Sequence, residues 1–251
     1  HAMLPSWHKR LAASTAPNLP RYEGFEIPVW TPEAAIEVMD ANGIRAMVLS
    51  NPVITEDFAV ADAAALSREM NEELAAIVAR FPTRFGAFAA LPLRDIDASV
   101  VEMRYALDQL RFDGVAIPTS FDGMYPGDPY FEPLLAEINS RRTTIFAHPR
   151  APGYAKQITL KVSPSMLEFV FDSTRAIVSL VSSGMRAKYP EFNYISTHAG
   201  GTVPFLADRI GFGSARTGYQ VKLTYEQVIS GLKSFHYDLA LTSTRPSLLA
   251  L

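Results

Sequence analysis

The feature that most constrains the fold is a regular alternation of short apolar runs with longer helical segments. Turn residues bound six such runs, which we predict to be strands: Ala46–Ser50, Phe85–Leu91, Gly114–Pro118, Thr143–His148, Phe192–His198 and Phe235–Ala240. Runs of this length without polar alternation are typical of strands buried on both faces. A chain that buries so many short strands on both sides needs helices to cover them.

The segments between the runs carry those helices. Thr31 followed by Pro32 is a helix start, with a side-chain cap and a proline in the first turn. Apolar residues at helical spacing predict the helices Ala34–Ala41, Asp62–Arg80, Asp97–Leu110, Phe131–Ile138, Glu168–Lys188 and Val203–Ile210. Strand and helix alternation predicts the α/β class, as a parallel sheet or a (β/α) barrel, in one domain over residues 1–251.

Composition removes several classes of function. The 23 basic and 26 acidic residues leave a net charge of −3, so nothing favours nucleic acid as a partner. The absence of cysteine excludes disulfides, thiolate metal sites and a cysteine nucleophile. No apolar run reaches the roughly 18 residues of a membrane span, and no signal peptide is evident. We therefore expect a cytoplasmic protein with no membrane partner.

Two of the five histidines end predicted strands. His148 closes one run, and His198 closes the next run along the chain, just before Gly200 and Gly201. Active sites of barrels lie at the carboxyl ends of the strands, where a neutral imidazole can bind a metal or move a proton. The alternative is that both histidines are hydrogen-bonded structural residues.

Other polar residues are weaker candidates. Arg150 could meet an anionic substrate or be a solvated loop residue, and Asp172 could pair with Arg175 on one helix face as a structural network. His8 reads as a surface residue, whereas His236 lies near the start of its strand and so towards the inert end of a barrel. We find no nucleophile elbow, phosphate loop or dinucleotide fingerprint.

Several motifs occur together in a fixed order: Trp30–Glu33, Phe81–Phe88, Tyr125–Pro133, Phe146–Pro149, Phe171–Ala176 and Thr197–Leu206. In this order they resemble the amidohydrolase-related branch that contains aminocarboxymuconate-semialdehyde, gamma-resorcylate and methylsalicylate decarboxylases. The resemblance extends over nearly the whole chain. It is more specific for the branch than for any substrate.

The resemblance implies a (β/α)8 barrel that holds one divalent metal, with zinc as the first choice and manganese as the second. His148 matches the fifth-strand metal ligand of the family. His198 matches a histidine that works beside the metal in proton transfer or substrate binding. His1 resembles the last residue of a first-strand His-x-His or Glu-x-His motif, so we expect it to be a metal ligand. Separately from the resemblance, we expect Arg150, which directly follows His148 and Pro149, to contact a small carboxylate substrate, and the protein to be a homodimer or homotetramer.

Set against the family pattern, the six runs would be strands two to seven. We therefore expect the first strand and the eighth, with its metal-binding aspartate, to be missing or truncated in this chain. The favoured function is metal-dependent, non-oxidative decarboxylation of a small aromatic or unsaturated, hydroxybenzoate-like acid. Two alternatives remain open: an amidase or lactonase that uses the same metal cage, and a catalytically impaired barrel that acts as a binding protein.

Overall fold

The computed structural model describes residues 1–6, 21–22, 25–26, 30–51, 60–157, 161–214 and 222–251. These residues form two compact units, His1–Ala116 and Ile117–Leu251. The boundary between the units falls inside one strand, Gly114–Pro118.

The first unit begins with two short antiparallel strands and continues with parallel strands that alternate with helices. Its elements are β1 (Arg21–Tyr22), β2 (Phe25–Glu26), α1 (Pro32–Ala41), β3 (Met47–Leu49), α2 (Val60–Arg80), β4 (Phe85–Ala90), α3 (Ile96–Asp108) and the start of β5 (Gly114–Pro118). Strands β1 and β2 pair antiparallel. Strand β3 pairs parallel with β4, and β4 pairs parallel with β5.

Local chemistry explains the helices of this unit. Thr31 caps α1, because its hydroxyl accepts a hydrogen bond from the Ala34 N–H at 3.1 Å. Helix α2 buries Leu66, Met70 and Leu74 completely, at the four-residue spacing of one helix face. These observations confirm the predicted start of the first helix and the apolar face of the second.

The second unit continues the alternation. Its elements are the end of β5, α4 (Glu132–Ser140), β6 (Thr144–His148), α5 (Pro164–Ser182), α6 (Met185–Lys188), β7 (Asn193–Ser196), α7 (Val203–Ser214), α8 (Tyr225–Lys233), β8 (His236–Tyr237) and α9 (Arg245–Ala250). Short 3-10 helices span Pro129–Phe131, Gly153–Gln157 and His198–Gly200. Strand β6 pairs parallel with β7, and β7 pairs parallel with β8.

Two predictions in this unit are wrong in detail. The predicted helix Glu168–Lys188 is two helices, because the backbone of Gly184 is left-handed (φ 79°) and interrupts the chain between α5 and α6. The predicted strand Phe235–Ala240 has only two residues in the sheet, His236 and Tyr237. The next residue, Asp238, accepts hydrogen bonds from the turn that follows β7. Its carboxylate accepts from the His198 N–H, and its carbonyl accepts from the Ala199 N–H.

From β3 to β5 in the first unit and from β6 to β8 in the second, sequential strands are parallel neighbours joined through helices. That arrangement is the repeating unit of a (β/α) barrel, and it confirms the predicted α/β class.

Candidate active site

His148 is the last residue of β6 and is partly buried. Its Nδ1 lies 2.9 Å from the carbonyl oxygen of Pro149. A carbonyl can only accept, so Nδ1 carries the proton and the lone pair of the neutral ring is on Nε2. The backbone carbonyl of His148 in turn accepts a hydrogen bond from the Thr119 N–H at 3.1 Å. The ring therefore has a defined tautomer, and the backbone that carries it is held from a neighbouring segment.

His198 begins the 3-10 turn that follows β7. Its backbone N–H donates to Oδ1 of Asp238 at 2.7 Å, and the carbonyl of Asp238 accepts from the Ala199 N–H at 2.9 Å. The Nδ1 atom of His198 is buried and has no hydrogen-bond partner within the part of the chain that the structure describes. A buried ring nitrogen without a partner is costly, so this atom is suited to meet a ligand.

The turn that carries His198 is unusual in its backbone. Four consecutive residues have left-handed φ angles: His198 (56°), Ala199 (54°), Gly200 (66°) and Gly201 (68°). At Gly201 a side chain is impossible, because a Cβ there would lie 1.9 Å from the carbonyl oxygen of Val170. The two glycines therefore let the turn pack directly against α5, which fixes where His198 lies.

The two histidines are brought together. Their ring centroids are 5.4 Å apart with an interplanar angle of 67°. The ring of Phe169 lies 5.9 Å from that of His148 and 6.2 Å from that of His198. The aromatic ring from α5 thus covers the pair with an apolar surface and reduces its contact with water.

This environment keeps both rings neutral. The pKa of His148 is lowered to about 4, chiefly by burial and also by the nearby His198, while the hydrogen bond to the Pro149 carbonyl opposes the shift. Burial also lowers the pKa of His198, although the charge of Asp238 opposes that shift. Both imidazoles are therefore uncharged at neutral pH, which is the state in which a ring nitrogen binds a metal or accepts a proton.

The donor chemistry of the pair is that of metal ligands. Neutral imidazole nitrogens are ligands for divalent metals such as zinc, so the donor chemistry fits. However, among the described residues no three His, Cys, Asp or Glu side chains are grouped closely enough to hold an ion. His148 and His198 therefore account for at most two ligands. The predicted ligand His1 lies in the first unit, where its Nδ1 is 2.8 Å from the Ser50 hydroxyl oxygen.

The remaining candidates have different outcomes. Arg150 follows the His148–Pro149 pair and is partly buried. The predicted pairing of Asp172 with Arg175 is wrong: the carboxylate accepts hydrogen bonds from hydroxyl groups, and the Arg175 guanidinium lies over the ring of Tyr154. His236 is the first residue of β8, as predicted, and it is exposed. His8 lies outside the described residues.

Two acidic residues of this region were missed as contributors to the site. Asp238 anchors the turn that carries His198, and buried Asp172 binds the segment after β5. A weak signal exists for each, because Asp238 directly follows a short strand and Asp172 stands among apolar residues of a helix. Neither signal identifies the partner, which lies 40 or more positions away.

The first unit has a cleft of about 350 Å³. It is lined by Asp40, Gly43, Ile44, Arg45, Thr83 and Arg84. These residues precede β3 and β4, so the cleft lies at the amino ends of strands, the end that barrels do not use for chemistry.

Of the helices that the structure describes, none combines the length and the apolar character needed to cross a membrane.

Parallel strands alternating with helices, with paired neutral imidazoles where two strands end, are typical of (β/α) barrel proteins, whose active sites lie at those ends. The chain belongs to the Amidohydrolase family, whose profile matches residues 7–234.

Relatives in this family are decarboxylases by name. The chain is 33% identical over 234 residues to decarboxylase yanB of Aspergillus niger, covering 87% of this chain and 62% of that protein. It is 32% identical over 235 residues to 6-methylsalicylic acid decarboxylase of Penicillium expansum, covering 91% of this chain and 72% of that one. The chain thus spans between three fifths and three quarters of the length of these relatives.

Solved structures agree on the fold. The crystal structure of 2,6-dihydroxybenzoate decarboxylase from Rhizobium matches with a TM-score of 0.77 at 26% identity, covering 88% of this chain and 73% of that one. A dihydroxybenzoic acid decarboxylase from Polaromonas sp. JS666, solved with bound manganese and 2-nitroresorcinol, shares the fold with a TM-score of 0.71 at 22% identity. That match covers 88% of this chain and 79% of the Polaromonas chain.

Proposed function

We propose that this chain carries out metal-dependent, non-oxidative decarboxylation of a small hydroxybenzoate-like acid. The observation that carries the proposal is the pair of neutral imidazoles of His148 and His198, whose ring centroids are 5.4 Å apart. His148 ends β6, and His198 lies in the turn that follows β7, the parallel neighbour of β6. The names of the relatives support an aromatic carboxylic acid as the substrate class.

Each residue has a defined part in the proposal. His148 would hold the metal through Nε2, since its Nδ1 proton is engaged by Pro149. When bound, the divalent ion supplies positive charge that stabilises negative charge on the substrate oxygens. Arg150 would bind the substrate carboxylate. His198 would orient or relay the proton that adds to the ring carbon as the bond to the carboxylate breaks and carbon dioxide leaves. The apolar ring of Phe169 would exclude water from these groups.

Zinc is the first candidate for the metal because it readily takes imidazole ligands, and manganese is the second. Elemental analysis of the purified protein distinguishes them.

A homodimer or homotetramer is supported by Phe205 and Phe212 on α7, which are 88% and 63% exposed. Light scattering in solution tests this state. The cytoplasmic location stays a prediction of the sequence.

The decisive experiment measures carbon dioxide release from 2-hydroxybenzoate-type acids beside hydrolysis of lactones and amides. We expect release from the acids, and its loss in His148→Ala and His198→Ala. The exposed residue His236 provides a matched control, so His236→Ala should retain the activity. Hydrolysis without carbon dioxide release would reject decarboxylation and favour the amidase or lactonase. Ligand binding without either reaction would favour a binding protein.

A further inference from the structure

A completely buried carboxylate, that of Asp172, lies on α5. Asp172 accepts hydrogen bonds from three hydroxyl groups of the segment that follows β5. Its partners are Thr119, Ser120 (2.9 Å) and Tyr125 (2.7 Å). A helix residue therefore holds the first turn of a loop at the carboxyl end of a strand, the end where barrel enzymes place their chemistry.

Thr119 links this carboxylate to His148. Its side-chain hydroxyl donates to Asp172, and its backbone N–H donates to the carbonyl oxygen of His148 at 3.1 Å. That carbonyl belongs to the peptide leading into Pro149, whose own carbonyl accepts the Nδ1 proton of the imidazole. A continuous path of hydrogen bonds thus runs from the helix, through Thr119, to the backbone that sets the ring of His148.

An ionised carboxylate suits this position better than a neutral side chain would. It is acceptor-only and has capacity for all three hydroxyl donors, whereas an amide of the same shape would present two N–H groups to them. Burial and the nearby Asp172 raise the pKa of Tyr125, so its hydroxyl keeps the proton that it donates. Burying a charge is costly unless it is fully hydrogen-bonded, which these three donors achieve.

We propose that Asp172 is a positioning residue that, through Thr119, fixes the orientation and tautomer of His148. The expected effect on the rate of turnover rests on the proposed function, because it assigns Asp172 a part in that reaction. The expected effect on the orientation and tautomer of the His148 ring does not depend on any substrate.

The test compares Asp172→Asn and Thr119→Val with the control Ser179→Ala. Ser179 lies on the same helix and its hydroxyl accepts from the Gly127 N–H at 3.0 Å. The control therefore removes a bond between the same two segments without touching Thr119. The primary readout is the ¹⁵N spectrum of histidine-labelled protein, in which the two ring nitrogens of His148, assigned with His148→Gln, report its tautomer. Thermal unfolding and steady-state kinetics with 2-hydroxybenzoate-type acids accompany it.

We expect all three variants to lose thermal stability. Only Asp172→Asn and Thr119→Val should shift or broaden the His148 nitrogen signals, and these two should lower kcat about tenfold or more with little change in KM. Should Asp172→Asn fail to fold, Thr119→Val alone decides. Unchanged His148 signals in the folded variants, or equal changes in Ser179→Ala, would overturn the proposal. A wild-type protein that decarboxylates no acid would refute the proposed function, while the spectrum would still decide the role of Asp172.

Discussion

Acidification should destabilise the protein through His148. Burial holds the pKa of this histidine at about 4 in the folded chain, against about 6.5 for an exposed imidazole. Between these values the unfolded chain binds the proton and the folded chain does not, so the free energy of unfolding rises with pH. The contribution is complete above about pH 6.5 and is lost as the pH falls towards the folded value.

The size of the effect follows from the shift. Each pH unit in this window is worth 1.36 kcal/mol, so acidification from pH 7 to pH 5 should cost about 2 kcal/mol through His148 alone. Urea unfolding at a series of pH values measures it, on protein treated with a chelator so that metal does not hold the ring. The variant His148→Gln should show a pH dependence smaller by about that amount.

His236 supplies the control, because it is exposed on β8 and replacing it with glutamine removes one histidine without changing the buried pair. We expect His236→Gln to follow the wild type across the series. If His148→Gln keeps the full wild-type slope between pH 5 and pH 7, the buried neutral imidazole is not its source and the reasoning is refuted.

Three substitutions test other parts of the fold. Gly201→Ala should cost more than about 3 kcal/mol or prevent folding, because a Cβ there would meet the carbonyl of Val170 at 1.9 Å and the backbone is left-handed; a melting temperature near the wild type's would contradict this. Thr224→Ala removes the capping box of α8 and should cost about 1 kcal/mol in urea unfolding, so no change would show that the cap is not formed in solution. Glu102→Gln weakens the charged contact of the buried carboxylate with Arg68 at 2.8 Å and should cost about 2 kcal/mol, again in urea unfolding; an unchanged midpoint would refute the contact.

The elements of the fold could be predicted because they depend on neighbours in sequence. Thr31 and Pro32 start α1 by contacts within one turn, and the predicted strand Thr143–His148 ends where β6 ends. The predicted strand Phe192–His198 is longer than β7, which ends at Ser196. The break at Gly184 was not predicted, since the apolar pattern continues through it and only the backbone conformation reveals the end of α5.

In the candidate site too, residues located by their place in a strand could be predicted, whereas contacts between distant residues could not. His148 and His198 could be placed together because the carboxyl ends of parallel strands lie at one edge of the sheet. A histidine that ends a predicted strand is therefore expected at that edge. The partners of Asp172 and Asp238 could not be found. Their hydrogen bonds join positions 40 to 53 residues apart, and no local pattern encodes which backbone amide or hydroxyl will come within reach.

The left-handed turn from His198 to Gly201 limits how this site could be transplanted. A histidine engineered at the end of a strand in another barrel would have an extended backbone. Its side chain would therefore leave the sheet in a different direction from that of His198. Matching the present arrangement would also require two glycines behind it, a helix close enough to touch them and an aspartate to hold the first amide. A designer would therefore have to copy the turn together with the glycines, helix and aspartate that hold it before adding the imidazole.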